Sequence, residues 1–453
     1  MKLPHVVIVE NGAGTIKAGV LGDHGGQPRI IPNAIISSKG NKTAYFGHEF
    51  EKCQDYSSLH FHLPFEKGFL VDWDAQKAVW DGMFSSDCLE VDTTESSLLI
   101  TEPYFNLPNI QEVYDQFVFE EYEFKSYYRC TPASLIPHGT LFAGPSLEPP
   151  ECMIIVDSGF SFTHVVPIMN GSVLWNAVKR IDVGGKLLTN QLKELASFRQ
   201  WNMMDETYIM NDIKESCCYV STNFIRDLEI THANSRNNEI VQEYILPDFS
   251  VHRPGRIRRA GEQLDDNSQV MYMNNERFTV PEVIFRPDNI GLNQCGLATA
   301  VASSINLLPE DLRGMFWAHI GLIGGNTNIP GFQERLTNEL RSLAPVECEV
   351  AVHTTNDPMT EAYRSAVGFA SKPEFFQCVV TREEYLEMGS KASRRKFRDW
   401  RPMDRETDRG RDSAFKGRGI RTREDDGASS PPAAKRGTKA RGRGRGAGVR
   451  RQG

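Results

Sequence analysis

Two stretches of the chain place an acidic residue, glycines and a following cation or imidazole in the same order. The candidate contact residues are Glu10, Asn11, Gly12, Gly14 and Lys17 in the first stretch and Asp157, Ser158, Gly159 and His164 in the second. Glycine allows backbone N–H groups to approach phosphate oxygens closely. A nearby carboxylate can hold a hydrated divalent cation, and Lys17 can reach a phosphate as a point charge. These residue types indicate a nucleotide site.

Each stretch also has the pattern of a β-hairpin. An apolar run, residues 6–9 or 153–156, ends at the acid and the glycines, and a second apolar run follows. This pattern predicts a strand, a tight turn and a return strand. One such hairpin alone is equally well explained as an ordinary turn in a sheet, because Asp-x-Gly turns are common. Two of them, one opening each half of the chain, favour a duplicated architecture with a nucleotide cleft split between the halves.

The charge is unevenly distributed along the 453 residues. From Ser390 to Gly453 there are 21 basic and 8 acidic residues, a balance of +13; because the whole chain carries −8, the remainder carries −21. This terminal stretch contains Arg-Gly repeats and few apolar residues, so it is expected to be disordered. Its arginines would neutralise phosphates in a salt-sensitive way, although a passive solubilising tail is the alternative. The nucleic-acid-binding candidates are Arg418, Arg421, Arg441, Arg443 and Arg445.

The cysteines and the apolar runs indicate which cellular compartment to expect. The nine cysteines are scattered without a C-x-x-C pair, which favours a reducing compartment over a disulfide framework or a zinc site. No run approaches the ~18–20 apolar residues of a membrane helix, so no membrane association is expected. Pro4 and Glu10 interrupt the apolar N-terminus, which argues against a signal peptide. Residues 431–436 with Lys439 resemble a nuclear import signal.

Local patterns give a coarse map of the remaining elements. Asp72 is expected to cap a helix that runs through Trp80. Residues 37–60 are expected to be polar and irregular. Residues 251–269 are expected to form an exposed loop that is either merely solvated or a contact for a partner or DNA. The globular body is expected to end near Met388, leaving 389–453 as a disordered, basic Arg/Gly-rich tail.

The two hairpins resemble the phosphate loops of the actin fold, and other motifs carry the same resemblance. Residues 321–331 are similar to actin's adenosine loop, 212–215 to the helix that closes the adenine pocket, and 275–287 to a signature of actins and actin-related proteins. Residues 183–190 and 101–106 resemble a nuclear subfamily of actin-related proteins. The resemblance covers roughly residues 5–388. It adds as candidate nucleotide contacts Gly185, Lys214, Glu215, Gly324, Gly325 and Asn326.

The resemblance implies an α/β fold of the ribonuclease H-like, Hsp70-type class. Two lobes, each a mixed five-stranded sheet with flanking helices, would enclose the nucleotide cleft. Lobe I would contain residues 1–147 and 360–388, and lobe II residues 148–360, with hinges near 140–150 and 350–362.

The same resemblance implies weak hydrolysis of nucleotide. Thr131 falls where actin has its water-orienting glutamine, Phe160 where actin has a second aspartate, and Glu10 where actin has its first aspartate. Residues 362–366 stand in place of part of the adenosine wall. We therefore expect ATP or ADP with magnesium as a structural ligand, no catalytic residue, and no metal site built by the protein alone.

For function, the nuclear subfamily implies a non-catalytic subunit of a Swr-type chromatin remodelling complex, which exchanges a histone variant into nucleosomes. Its expected partners are the other subunits, including the large ATPase subunit, and the nucleosome with its histones; the basic tail adds DNA. The expected location is the nucleus, with some cytoplasmic pool. The alternatives are an actin-fold ATPase and a cytoskeletal filament protein. Residues 37–58 do not resemble the loop that grips the next subunit of an actin filament, so filaments are not expected.

Overall fold

The computed structural model describes residues 5–23, 26–39, 42–143, 149–232, 238–251, 253–265 and 268–397. Most of the predicted tail, including every nucleic-acid-binding candidate named above, lies outside the described residues, as does part of the first predicted hinge.

The strands are short and occur throughout the described part of the chain. In order they are β1 His5–Asn11, β2 Thr15–Val20, β3 Arg29–Pro32, β4 Ile35–Ser38, β5 Ala44–Phe46, β6 Leu59–His62, β7 Phe65–Glu66, β8 Phe69–Leu70, β9 Ser96–Thr101, β10 Ser126–Cys130, β11 Cys152–Ser158, β12 Thr163–Met169, β13 Ser172–Val173, β14 Lys179–Ile181, β15 Gln242–Ile245, β16 Arg256–Ile257, β17 Val270–Met273, β18 Ile320–Ile323, β19 Val352–His353 and β20 Val380–Thr381.

The helices alternate with these strands. In order they are α1 Trp73–Phe84, α2 Pro108–Gln116, α3 Pro132–Leu135, α4 Gly185–Arg199, α5 Thr207–Cys217, α6 Phe224–His232, α7 Glu276–Phe285, α8 Leu297–Asn306, α9 Arg313–Ala318, α10 Phe332–Leu343, α11 Glu361–Ala370, α12 Phe375–Cys378, α13 Arg382–Met388 and α14 Lys391–Lys396.

Two sheets repeat one topology. In the first, β1 pairs antiparallel with β2 and parallel with β9, within the order β20-β10-β9-β1-β2-β3. In the second, β11 pairs antiparallel with β12 and parallel with β18, within β13-β12-β11-β18-β19, and β14 also pairs with β12. The predicted hairpins and the duplication are confirmed. Each sheet has six strands rather than the expected five, because short edge strands such as β20 are too brief to give a sequence signal.

Alternating side chains bury both faces of each sheet. In β1, Val7 and Val9 pack in one core cluster while Val6 and Ile8 pack in another. In β11, Ile154 and Val156 face one cluster and Met153 and Ile155 the other. A strand that is buried on both faces has a continuous run of apolar residues. For this reason the sequence predicted both central strands, β1 and β11. We call the first sheet with its helices lobe I and the second lobe II.

Residues 37–60 are not irregular as expected. β5, β4 and β6 form a three-stranded antiparallel sheet in that order. Its small core contains Ile36, Phe50 and Leu59, with Tyr45 and Tyr56 packed against it. The three strands are only three or four residues long, and apolar and polar residues alternate regularly only in β6. No apolar pattern was therefore long enough to predict them.

Residues 251–269 are more structured than the expected exposed loop. β16 joins β15 and β17 in a three-stranded sheet. The arginines there have acidic partners: Arg253 pairs with Asp265 at 2.7 Å, Arg256 with Glu262, and Arg258 with Glu243 at 2.5 Å. The charges of these three arginines are therefore paired with carboxylates of the same chain.

The body continues beyond Met388, where it was expected to end. Helix α14 follows α13, and Ala392 and Phe397 are buried in the lobe I core. The Phe397 ring lies 5.5 Å from the Arg129 guanidinium, a cation–π contact. The basic residues of this segment concealed its one buried aromatic.

The expected cap of α1 is present, since the Ala75 N–H donates to Asp72 Oδ1 at 3.0 Å. Among the helices that the structure describes, none has the length and apolar character required to cross a membrane.

Candidate functional site

A cavity of about 840 Å³ lies between the two lobes, at the ends of the paired hairpins. It brings together nearly all of the predicted nucleotide contacts from both halves of the chain. The lining includes Glu10, Asn11, Gly12, Gly14, Lys17, Asp157, Gly159, His164, Gly185, Lys214, Glu215, Gly324, Gly325 and Asn326. Ser158 is the predicted contact that does not line it.

The first hairpin supplies a charged pair at the cavity floor. Glu10 and Lys17 are cross-strand partners, and Lys17 Nζ lies 3.5 Å from Glu10 Oε1. Burial raises the pKa of Glu10, although the Lys17 ammonium opposes the shift. Glu10 Oε2 is buried and has no protein hydrogen-bond partner. The free carboxylate oxygen could face a cation while the lysine faces an anion, so the pair suits a ligand that carries both.

Asn11 does not direct its amide into the cavity. Its Nδ2 donates to the Tyr114 hydroxyl at 3.0 Å, and its Oδ1 accepts from Trp80 Nε1 at 3.4 Å. Its backbone N–H donates to Thr101 Oγ1 at 3.1 Å. This amide therefore ties the turn to the lobe I interior, since alternate side chains of a strand face opposite sides.

The second hairpin places its acid among neutral partners. Tyr104 donates its hydroxyl proton to Asp157 Oδ2 at 2.8 Å. Burial raises the pKa of Asp157 to about 6, and the Tyr104 hydrogen bond opposes that shift. His164 is the cross-strand partner of Asp157, and burial, with Arg180 adding to it, lowers the pKa of His164 to about 3. At neutral pH His164 is therefore an uncharged imidazole, and its ring lies 4.4 Å from the Tyr104 ring at a tilt of 40°.

Ser158 and Asn326 hold the second turn in place. The Ser158 hydroxyl is bonded to Thr163 Oγ1 at 2.8 Å and accepts from Asn326 Nδ2 at 3.1 Å. Asn326 Nδ2 also donates to the Gly159 carbonyl at 2.8 Å. Gly324 has φ +92° and lies directly against the Ser158 backbone, which a side chain could not do. The loop of residues 321–331, predicted to resemble the adenosine loop, thus packs against the turn of the second hairpin and holds it in place.

An aromatic ring fills the space between the two turns. A methyl group built on Gly14 would lie 2.8 Å from Cγ and Cδ2 of Phe160. The Phe160 side chain therefore lies directly against the first turn. Sequence comparison with actin indicated added bulk at this position, but the contact with Gly14 joins residues far apart in the chain and has no local signal.

Lys214 and Glu215 lie on α5 at one side of the cavity. Lys214 Nζ donates to Thr189 Oγ1 at 3.0 Å and Asn211 Oδ1 at 2.8 Å. Burial lowers the pKa of Lys214, with Glu215 opposing. Gly185 begins α4 beside it, and a side chain there would approach Asn326 at 3.2 Å. Glu215 is exposed and accepts from Asn211 Nδ2 at 2.7 Å.

Two positions expected near the nucleotide lie elsewhere. Thr131 precedes α3 and does not line the cavity, which its neighbour Pro132 does. Residues 362–366 lie in α11, where Tyr363 and Ala366 are buried in the lobe I core against Val6 and Ile8. They form core packing rather than part of the adenosine wall.

Contacts that the sequence did not suggest join the lobes at the outer end of the cavity. We call them the mouth clasp: Lys39, Phe50, Tyr56 and Ser58 of lobe I against Asp205, Glu206, Tyr208 and Phe249 of lobe II. The Tyr56 and Tyr208 rings are stacked at 4.5 Å, and Phe249 lies 5.6 Å from Tyr56. Such aromatic pairs add stability beyond the area they bury.

Polar bonds extend the mouth clasp. Ser58 donates its N–H and its hydroxyl to the two carboxylate oxygens of Glu206, at 2.9 and 3.0 Å. Lys39 pairs with Asp205 at 2.9 Å. These bonds hold the small β5-β4-β6 sheet against the start of α5.

A metal ion at the described residues would need phosphate oxygens among its ligands. Within the described ranges, no group of three or more His, Cys, Asp or Glu side chains could hold an ion. Glu10 and Asp157 are both buried at the floor, and the charge of Glu10 raises the pKa of Asp157. A hydrated magnesium ion carried by phosphates would relieve this repulsion.

A two-lobed fold with paired hairpins facing one cleft defines an actin-type protein. The actin family model matches residues 3–398, and the chain belongs to the actin family. "Actin-like protein ARP6" of Cryptococcus neoformans is 50% identical, covering 88% of this chain and 85% of that protein. "Actin-related protein 6" of Drosophila melanogaster is 37% identical (85% and 97%), and that of Arabidopsis thaliana 36% identical (87% and 100%). The subfamily resemblance predicted from the motifs, to actin-related protein 6, is confirmed.

Proposed function

We propose that this chain is a non-catalytic, actin-related subunit of a nuclear Swr-type chromatin remodelling complex, which exchanges a histone variant into nucleosomes. In this role it scaffolds partner subunits and helps to engage the nucleosome, while a different, large subunit supplies the ATPase. The similarity over most of the chain to relatives named actin-related protein 6 carries the proposal. The expected location is the nucleus, with some cytoplasmic pool.

The geometry of the cleft supports a non-catalytic role. Hydrolysis needs a water held in line with the terminal phosphate by a group that orients it. Thr131 is not in the cavity wall, and Phe160 brings an aromatic ring where a carboxylate would serve. His164 and Asp157 remain, but Asp157 is bonded to Tyr104.

The same cleft supports a structural nucleotide, ATP or ADP with magnesium. Lys17 and the backbone of the two turns would meet the phosphates, and the side of the cavity near Lys214 and Glu215 would take the nucleoside. A ligand that binds only the closed, folded form stabilises it by mass action without being hydrolysed. The mouth clasp supports the same closed arrangement.

Charge separation supports two kinds of partner. The residues before Ser390 carry −21 and those from Ser390 onward +13. We propose that the acidic body faces histones and partner proteins and that the basic tail contacts DNA.

Filament formation is not part of the proposal. The loop that grips a neighbouring subunit in actin filaments corresponds here to residues 37–58, and Tyr56 of this stretch is stacked on Tyr208 of the same chain. That surface is used internally.

A pull-down from nuclear extract tests the proposal. Tagged full-length chain and a chain ending at Phe397 are compared by mass spectrometry, with tagged actin as the matched bait. We expect both forms of the chain to recover the remodeller's subunits, including its large ATPase, in a set distinct from that of actin. Recovery of none of those subunits by either form would refute the proposal.

A further inference from the structure

Phe160 of the second turn lies against Gly14 of the first turn, in the wall of the cavity. The atoms nearest to a methyl group on Gly14 are Cγ and Cδ2 of Phe160 at 2.8 Å, and Phe160 Cβ follows at 3.2 Å. The stem of the side chain, and not only its far edge, lies against the first turn. The space between the turns is therefore filled at this point.

Backbone hydrogen bonds fasten the second turn to the start of α4, so a loop movement that withdraws the ring would have to break them. The Gly185 N–H donates to the Gly159 carbonyl at 3.0 Å, and the Lys186 N–H donates to the Phe160 carbonyl at 2.9 Å. Gly184 lies so close to this turn that a side chain there would approach the Phe160 carbonyl oxygen at 2.5 Å. Rotation of the Phe160 side chain is the movement that would take the ring away from the first turn and leave these bonds intact.

These same bonds reduce the capacity of the site for negative charge. The first N–H groups of a helix are often used to bind phosphate. At the start of α4 the N–H groups of Gly185 and Lys186 are already bonded to carbonyls of the second turn. At the floor, Lys17 faces two buried carboxyl groups, Glu10 and Asp157, whose pKa values burial raises. Each additional phosphate charge near these acids costs energy unless a cation accompanies it.

We propose that Phe160 makes the cleft selective for a nucleoside diphosphate with magnesium over the triphosphate. The outermost phosphoryl group of a triphosphate would have to lie where both turns can donate to it, and that position is taken by the ring. A diphosphate ends before it. The inference rests on the proposed structural nucleotide and names which nucleotide that is.

Calorimetric titration of the full-length protein with Mg-ADP and with Mg-ATP tests the proposal. Wild type is expected to bind Mg-ADP at least roughly tenfold more tightly, a difference of about 1.4 kcal/mol. Phe160→Ala should bring the two affinities within about threefold by tightening Mg-ATP. Phe160→Leu should give an intermediate ratio. Phe162→Ala is the matched control, since the Phe162 ring lies against Gly68 and not Gly14; it should leave the ratio unchanged.

The wild-type ratio decides the question even if a variant fails to fold. Equal affinity of wild type for both nucleotides would overturn the selectivity and leave the structural-nucleotide proposal standing. A preference for Mg-ADP that survives Phe160→Ala and Phe160→Leu would remove Phe160 as its cause. If neither nucleotide binds wild type, the structural-nucleotide proposal itself fails, and this inference with it. Chromatography of the nucleotide released from freshly purified protein should show ADP; a predominance of ATP would contradict the proposal.

Discussion

The two hairpins share a backbone plan and differ in the chemistry of their side chains. In each, the acid at the end of the first strand is opposite a residue of the return strand: Glu10 opposite Lys17, and Asp157 opposite His164. The first pair is an ion pair, whereas the second combines an imidazole that is neutral at pH 7 with a carboxyl bonded to Tyr104. The backbone geometry is repeated, whereas the first hairpin carries an ion pair and the second a carboxyl held by a tyrosine beside a neutral imidazole.

The residue after the acid behaves alike in both copies. Asn11 and Ser158 were both expected to contact nucleotide, and both turn their side chains into their own lobe. They differ in their number of hydrogen-bond partners. The Asn11 amide bonds four side chains, those of Asn33, Gln76, Trp80 and Tyr114, whereas the Ser158 hydroxyl bonds two, those of Thr163 and Asn326.

Asn11→Ala should have the largest effect on stability. It leaves the Trp80 N–H and the Tyr114 hydroxyl without their partner in a buried site, and each such loss costs about 1–3 kcal/mol. We expect a loss of roughly 3 kcal/mol in the free energy of unfolding, measured by urea denaturation. Ser158→Ala is the matched change in the second hairpin and should cost about 1 kcal/mol. Equal losses from the two substitutions would show that the two turns are anchored alike.

Gly14→Ala should reveal the contact between the hairpins. The added methyl group meets the Phe160 ring, and overpacking of this kind costs about 1–3 kcal/mol. In Gly159→Ala the new methyl group would lie 3.8 Å from the Phe162 carbonyl oxygen, an ordinary contact distance, so little change of stability from contact is expected. A double-mutant cycle with Phe160→Ala should recover most of the Gly14→Ala loss. If the two substitutions are additive, the ring does not press on the first turn.

The raised pKa of Asp157 predicts that the second hairpin contributes less stability as the pH rises. The folded state holds this proton up to about pH 6, whereas an unfolded Asp releases it near pH 4. Stability from this group is therefore full at low pH and is lost as pH rises through 6. Without nucleotide or magnesium, wild type and Asp157→Asn should be equally stable at pH 4. At pH 7 wild type should be weaker by on the order of 2 kcal/mol, as measured by urea unfolding. A difference independent of pH would contradict the assignment.

Tyr208→Ala should open the mouth of the cleft with a smaller effect on stability. It removes the stacking with Tyr56 and the edge contact with Phe50, for a loss of about 1–2 kcal/mol. Release of a fluorescent ADP analogue should become several-fold faster because the lobes separate more often. Tyr272→Ala, at an exposed tyrosine outside the clasp, is the control and should change the release rate little. Equal release from both variants would show that the mouth clasp does not limit exchange.

The sequence predicted what is local, and missed what joins distant segments. The hairpins, the α1 cap and the third loop each lie within a dozen or so residues, so turn chemistry and apolar runs revealed them. The contact of Phe160 with Gly14 and the stacking of Tyr56 on Tyr208 cross between lobes, and no periodicity encodes them. Phe397 was missed for a different reason. A strongly basic segment with a single apolar ring has the composition of a disordered tail.

The most direct test of this account is steady-state phosphate release from Mg-ATP by the purified full-length protein, with filamentous actin measured beside it. The account predicts release far below that of actin, because Phe160 fills the gap between the turns and Thr131 is outside the cavity wall. Turnover comparable to that of filamentous actin would contradict it and would make this chain an ATPase in its own right.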